Sequence, residues 1–118
     1  MDYYLGMHTV VELPEFIKQS KTLLSKDEST SLIAYLSVHP KSGVLIQGTG
    51  GIRKLRWASG NKGKSGSTRV IYFYHNSEMP IFLITAFGKN QKANLSQSEK
   101  NMLAKLTQLL IQKYGASL

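Results

Sequence analysis

The sequence predicts an α+β domain in which helices pack on a small, twisted and mostly antiparallel sheet, in the order βααβββα. Two observations support this class. Segments rich in β-branched and aromatic residues alternate with segments of helical apolar spacing, and two S-x-x-E motifs mark helix starts. The 118 residues suffice for one hydrophobic core, so we expect residues 1–118 to form a single domain. Residues 1–7 are expected to be an N-terminal extension, and six of them precede the natural start if that start is Met7.

The first part of the chain predicts one strand followed by two helices. Residues 8–13 are apolar and β-branched enough to form a strand. Pro14 suits the first turn of a helix, and apolar residues follow it at helical spacing. Ser25 and Glu28 have the spacing of a capping box, so a second helix is expected to begin there and to end near His39.

The middle of the chain predicts a connection and three strands. Glycine-rich residues 43–51 are expected to form a turn-prone connection. Residues 52–58 alternate as a strand does, so that two basic residues share one face and Leu and Trp take the buried face. Residues 69–74 and 81–87 are predicted to be buried strands joined as an antiparallel hairpin.

The last predicted element is a helix. Ser96 and Glu99 repeat the capping-box spacing, which places the helix start at Ser96. Gly115 is expected to end the helix. Between these ends, apolar residues recur at helical spacing: Met102, Leu103, Leu106, Leu109 and Leu110.

Charge is distributed unevenly along the chain. The formal net charge is +8, and there is no acidic residue between Glu28 and Glu78. A merely solvated face usually mixes both signs, so this segment favours the binding of a polyanion. The segment contains seven cations, which are Lys41, Arg53, Lys54, Arg56, Lys62, Lys64 and Arg69.

Several kinds of chemistry are disfavoured by the residues available. The chain has no cysteine, which excludes disulfides, thiolate metal sites and cysteine nucleophiles. His8, His39 and His75 lack metal-ligand spacing and are interpreted as structural or solvated. Residues 58–65 loosely match a phosphate-loop pattern, but a strand is predicted to follow them where nucleotide binding needs a helix. We therefore expect a cytoplasmic protein without metal, cofactor or membrane segment.

Three segments, taken in order, resemble the RelE/HigB toxins of toxin–antitoxin systems. They are residues 48–56 (Gly-Thr-Gly-Gly-Ile-Arg-Lys-Leu-Arg), 69–72 (Arg-Val-Ile-Tyr) and 86–90 (Ala-Phe-Gly-Lys-Asn). The resemblance spans roughly residues 8–112 and is closest to the HigB branch. It implies a metal-independent endoribonuclease that cuts mRNA in the ribosomal A site. It also implies a protein antitoxin, which in the HigB branch is a helix-turn-helix repressor.

The resemblance assigns catalysis to three cations on two neighbouring strands: Lys54, Arg56 and Arg69. Attack of a ribose 2′-OH on the adjacent phosphate builds a doubly charged phosphorane, which fixed cations stabilise. Further residues are expected to contact RNA at the rim of this site, and these are Arg53, Lys62, Lys64, Lys89, Asn90 and Lys92.

The general acid and base are left open by the sequence. Asn90 stands where the RelE branch has an arginine, and Ser96 falls near the position of its tyrosine. The sequence shows no serine–histidine–acid set and no Glu/His pair for proton transfer. Lys54 is the preferred candidate for proton transfer, because a crowded cluster of basic residues is expected to make its ammonium group release a proton more readily.

Two other functions remain open on the same fold. Gyrase-binding toxins of the ParE type share the architecture but act on a protein target, and the basic strand pair argues against them. A non-catalytic RNA-binding protein would use the same cations to bind phosphate without cleaving it.

Overall fold

The computed structural model describes residues 8–58, 67–92 and 94–115. Within these ranges the predicted α+β class is confirmed. The elements in chain order are β1 (Val10–Glu12), α1 (Pro14–Leu23), α2 (Lys26–Val38), β2 (Val44–Leu45), β3 (Ile52–Ala58), β4 (Ser67–Phe73), β5 (Ile81–Gly88) and α3 (Gln97–Leu110), which continues as a π-helical turn over Ile111–Gly115.

The strands form one mixed sheet in the order β1-β5-β4-β3-β2. β1 pairs with β5 in parallel, whereas the other three pairings are antiparallel. The predicted hairpin of the two buried strands is confirmed as β4 and β5. Because β3, β4 and β5 are antiparallel neighbours in the middle of the sheet, their side chains share two well-defined faces.

Both predicted capping boxes are present and fix the starts of α2 and α3. The Ser25 hydroxyl accepts a hydrogen bond from the Glu28 backbone N–H at 3.0 Å, and the Glu28 carboxylate accepts one from the Ser25 N–H at 2.8 Å. Ser96 and Glu99 repeat this exchange at 3.1 and 2.8 Å. These bonds satisfy backbone donors that a helix start otherwise leaves unpaired.

The glycine-rich connection contains a short strand that the sequence did not predict. Val44 and Leu45 pair with Lys54 and Arg53, so β2 extends the sheet by one edge strand. Two residues are too few to show an alternating pattern, and the pairing depends on contacts made by distant residues. The predicted turn-prone connection over residues 43–51 is thus correct for residues 47–51 and wrong for residues 44–45, which form β2.

A buried tyrosine fixes the turn that precedes β2. The Tyr72 hydroxyl donates to the Pro40 carbonyl and accepts from the Gly43 N–H, both at 2.8 Å. A β-carbon at Gly43 would lie 2.8 Å from the Tyr72 ring, so only glycine fits there. Burial raises the pKa of Tyr72, although the Gly43 hydrogen bond opposes this shift. The phenol therefore remains a protonated structural donor at neutral pH.

The turn before β3 is attached to α3. Thr107 donates its hydroxyl to the Thr49 carbonyl at 3.0 Å, and the Thr49 hydroxyl accepts from the Ile52 N–H at 3.1 Å. Gly50 has a φ of +78°, and a β-carbon there would lie 2.6 Å from the Thr107 hydroxyl oxygen. Gly50 is thus required by its positive φ and by the close approach of this turn to the helix.

The sheet separates two hydrophobic clusters. α1 and α2 cover one face, where Phe16 and Leu36 pack with Val70 and Tyr72. α3 covers part of the other face, where its Leu110 joins a cluster that is completed by the strand residues Ile52, Ile71, Phe73, Phe82, Ile84 and Phe87.

The two-sided covering corrects the expectation that β3 buries only its Leu–Trp side. Ile52 lies on the same face as Lys54 and Arg56 and is fully buried. Lys54 is half-buried, and Arg56 is exposed towards the end of the strand. The cations thus occupy the uncovered end of a face that is otherwise packed. In the described ranges, no helix combines the length and hydropathy needed to cross a bilayer.

Candidate nucleic-acid interface

The register of β3 and β4 places two arginines directly opposite each other. Arg56 pairs with Arg69, and Lys54 pairs with Ile71 two positions along. Since alternate residues of a strand share a face, the three predicted catalytic cations lie on one face of the sheet. The structure therefore brings together Lys54, Arg56 and Arg69, which are up to 15 positions apart in the chain.

A serine hydroxyl lies between the two arginines. Ser67, the first residue of β4, accepts a hydrogen bond from Arg69 Nη1 at 2.7 Å. Its oxygen also accepts one from Arg56 Nε at 3.3 Å. Ser67 is 8% exposed, so the hydroxyl that both arginines share is buried at the start of β4 rather than surrounded by solvent.

The three cations line an open cleft of about 510 Å³. Ser42, Val44, Leu55 and Asn94 also line it, and Val44 is the cross-strand neighbour of Lys54. No histidine or carboxylate lines the described part of this cleft. A cleft with concentrated positive charge and a few polar donors is suited to bind a phosphodiester.

The cations of the cleft lack acidic partners in the ranges that the structure covers. Lys92 and Glu99 form the ion pair found there, and neither residue lines the cleft. Like charges directly opposite each other on a sheet destabilise it. Arg56 and Arg69 thus oppose each other without a neutralising carboxylate among the described residues, an arrangement typical of a site for an anionic ligand.

Arg53 is not brought together with the other cations. It lies on the opposite face of β3, and its Nη1 donates to the carbonyls of Lys41 and Gly43 at 3.0 and 2.8 Å. These bonds hold the turn before β2 in place. The structure therefore gives Arg53 a role in the fold, and its predicted contact with RNA would have to use a different surface.

Three of the other predicted RNA contacts, Lys89, Asn90 and Lys92, lie among the described residues that follow β5. Lys62 and Lys64 lie outside the described residues. Lys89 and Asn90 are exposed in the turn after β5. Lys92 is engaged within the protein, because its ammonium pairs with Glu99 and lies 5.0 Å from the centre of the Phe87 ring. The hydrogen bond from Lys92 holds the pKa of Glu99 below its ordinary value.

The sequence did not point to Ser67, which bonds to the arginines beside the cleft, or to the lining residues Ser42, Val44 and Asn94. Ser67 was assigned to the loop because the strand was expected to begin at Arg69. The signal was present, since a residue two positions before Arg69 shares its face once the strand is extended. Asn94 gave no such signal, because its approach to the cleft depends on how the chain leads into α3.

The histidines do not contribute to the described cleft. Each packs against a different aromatic ring: His8 against Tyr74, His39 against Tyr35, and His75 against Phe73. Among residues 8–58, 67–92 and 94–115, no group of three acidic or histidine side chains could hold a metal ion. That the protein works without metal or cofactor stays a prediction.

Fold and site together define a small α+β protein with an open cationic cleft on one face of its sheet. Comparison with known protein families matches residues 41–118 to the family described as the RelE toxin of the RelE/RelB toxin–antitoxin system. This match covers more than half of the chain and includes β2 to α3, which carry the cleft. The chain belongs to the RelE toxin family. It is therefore a toxin of a toxin–antitoxin system, and the family implies a cognate antitoxin as its partner.

Proposed function

We propose that this toxin is an endoribonuclease of the HigB branch that cuts mRNA in the ribosomal A site. The observation that carries the proposal is the opposed pair Arg56 and Arg69, which shares a cleft with Lys54 without a carboxylate among the described lining residues. Such a pair is costly to a sheet unless an anion binds to it. The family match supports the same class of activity.

In this proposal the two guanidinium groups bind the phosphate that is attacked. Arginine presents a planar fork of donors that can contact two phosphate oxygens at once. As the 2′-OH attacks and loses its proton to solvent water, negative charge grows on these oxygens, so contacts from Arg56 and Arg69 strengthen towards the phosphorane. Lys54 adds a third positive charge and is the candidate for proton transfer to the 5′-oxygen. Electrostatic stabilisation of this kind is usually the largest contribution to such reactions.

The cleft has few groups that could transfer protons, and for this reason we propose that cleavage requires the ribosome. The described cleft contains lysine and arginine but no group with an ordinary pKa near neutrality. Ribosome-bound mRNA would be held with its 2′-OH in line for attack, and this orientation can replace much of the missing acid–base catalysis.

The other basic residues are proposed to bind nucleic-acid backbone. Lys89 and Asn90 project from the exposed turn next to β5, on the rim of the sheet. Lys62 and Lys64 are assigned to phosphate contacts from the sequence alone. The antitoxin partner is proposed to be a helix-turn-helix protein, and the toxin is proposed to act in the cytoplasm.

The proposal is tested with purified protein, free RNA, and the same RNA bound to ribosomes. We expect primer extension to show cuts in A-site codons on ribosomes and little cleavage of free RNA. Efficient cutting of free RNA would contradict the requirement for the ribosome. Binding without cleavage in both cases would favour the non-catalytic RNA-binding alternative. Growth arrest with intact mRNA and inhibited gyrase would favour a ParE-like action.

A further inference from the structure

We propose that Ser67 is a positioning residue that sets the orientation of Arg56 and Arg69 in the cleft. The inference deepens the proposed function, because it concerns the same phosphate site. It starts from one observation: a single hydroxyl oxygen accepts hydrogen bonds from both arginines, at 3.3 Å from Arg56 Nε and at 2.7 Å from Arg69 Nη1.

The direction of these bonds is fixed by chemistry. A guanidinium has five N–H donors and no acceptor, whereas a hydroxyl oxygen has two lone pairs. Ser67 must therefore accept from both arginines, which uses both lone pairs. The bonds are charge-assisted and stronger than bonds between neutral groups.

The position of Ser67 makes it a rigid support. It is 8% exposed and begins β4, two residues before Arg69 on the same face of the sheet. Arginine side chains otherwise have many rotamers, and two like charges would turn away from each other. The Ser67 hydroxyl accepts from Nε of Arg56 and from Nη1 of Arg69, and the Ser67 carbonyl accepts a longer bond from the same Nη1 at 3.5 Å. The remaining N–H groups are left for the oxygens of a phosphodiester.

Loss of the hydroxyl should therefore affect catalysis more than binding. Both arginines keep their charge in its absence, so long-range attraction of RNA persists. Their alignment with the phosphorane is lost, and misplacement of catalytic groups by about 1 Å can cost up to a hundredfold in rate. We expect Ser67→Ala to lower kcat about tenfold while KM for ribosome-bound mRNA changes less than about threefold.

A matched pair of variants separates the hydroxyl from side-chain volume. Ser67→Thr and Ser67→Val introduce side chains of nearly the same shape, but only the first retains the hydroxyl. We expect Ser67→Thr to retain most of the wild-type kcat and Ser67→Val to resemble Ser67→Ala. The control is Ser20→Ala in α1, because Ser20 is equally buried at 8% and its hydroxyl donates only to the Ile17 carbonyl. It should leave kcat unchanged.

A second readout does not depend on activity. In proton–nitrogen NMR spectra of arginine-labelled protein, the Arg56 Nε–H should exchange slowly with water in the wild type and in Ser67→Thr. It should exchange rapidly in Ser67→Ala and Ser67→Val.

The outcomes distinguish this inference from the proposed function. Wild-type protein that cuts no mRNA on ribosomes contradicts the proposed function, and the NMR comparison still tests the positioning of the arginines. Unchanged kcat in Ser67→Ala overturns the role of Ser67 while leaving the proposed function intact. Equal loss in Ser67→Thr and Ser67→Val also overturns it, because the hydroxyl would then not be the cause.

Discussion

Arginine has different roles on the two faces of the β3–β4 strand pair. On the face towards α1 and α2, Arg53 pairs across β3 and β4 with Tyr72, and both side chains bond to backbone groups of residues 40–43. On the other face, Arg56 pairs with Arg69, and both guanidinium groups donate to the Ser67 hydroxyl. The first pair is committed to the fold, and the second keeps its charge available to a ligand.

The hydrogen-bond acceptor of each arginine indicates its role better than its residue type or its position in a basic segment. Backbone carbonyls satisfy Arg53 and tie it to a turn. A neutral hydroxyl orients Arg56 and Arg69 but cancels none of their charge. Charge that remains uncompensated at a cleft is free to bind an anion.

The largest effect is expected from Arg69→Ala. Loss of one phosphorane contact typically costs about 3 kcal/mol, or roughly a hundredfold in rate. We expect induced cells to escape growth arrest, while the purified variant still melts cooperatively and still co-purifies with its antitoxin. Arg69→Lys should restore little, because lysine keeps the charge and loses the fork. Full toxicity of Arg69→Ala, or loss of toxicity only through unfolding, would show that Arg69 is not catalytic.

The second largest effect is expected from Tyr72→Phe, on the face of the sheet that α1 and α2 cover, and it should change stability but not cleavage. Tyr72→Phe retains the buried ring but removes the partner of the Gly43 N–H and the Pro40 carbonyl. Buried polar groups without partners cost about 1–3 kcal/mol, so we expect the free energy of unfolding to fall by about 2 kcal/mol. Urea denaturation measures this value. A loss of cleavage in the still-folded variant would contradict the separation of the two faces.

The variants Arg53→Ala and Arg56→Ala test whether one face of the sheet serves stability and the other serves cleavage. We expect Arg53→Ala to lower the free energy of unfolding by about 1 kcal/mol through the loss of two hydrogen bonds. The value is modest because the buried Arg53 Nε has no partner among the described residues even in the wild type. Arg56→Ala should change stability by less than about 0.5 kcal/mol and reduce cleavage strongly. If the two variants lost similar amounts of unfolding free energy in urea and of cleavage rate on ribosomes, the two arginines would not have different roles.

The smallest effect is expected at the start of α3. Hydrogen bonding by Lys92 holds the pKa of Glu99 below its ordinary value. A carboxylate with a lowered pKa in the folded state stabilises the protein above its unfolded pKa and loses this contribution as pH falls through the folded value. Glu99→Gln should therefore lower the melting temperature slightly at pH 7, and its effect should shrink as the pH falls through the folded-state pKa of Glu99, because the wild-type carboxylate then becomes protonated.

The control for this prediction is Glu28→Gln, which alters the equivalent capping box of α2. Within the described ranges no lysine pairs with Glu28, so its substitution tests the capping bond alone. A pH dependence of the same size in both variants would assign the effect to the helix start rather than to Lys92.

Local features of the fold could be predicted from the sequence because their causes are local. The capping boxes at Ser25 and Ser96 depend on residues three positions apart, and the strand over residues 52–58 depends on alternation within one segment. The excess of positive charge also needed only the sequence, and it indicated a polyanion before any geometry was known.

The tertiary structure decided which of these charges form a site. The register of β3 and β4 placed Arg56 opposite Arg69 and brought Ser67 between them. The same register turned Arg53 to the other face and let β2 form. Register depends on hydrophobic packing across both faces of the sheet, and a shift of one residue would exchange those faces. The sequence by itself therefore determined the elements with local causes and the excess of positive charge, whereas long-range pairing determined β2 and which of the basic residues lie together.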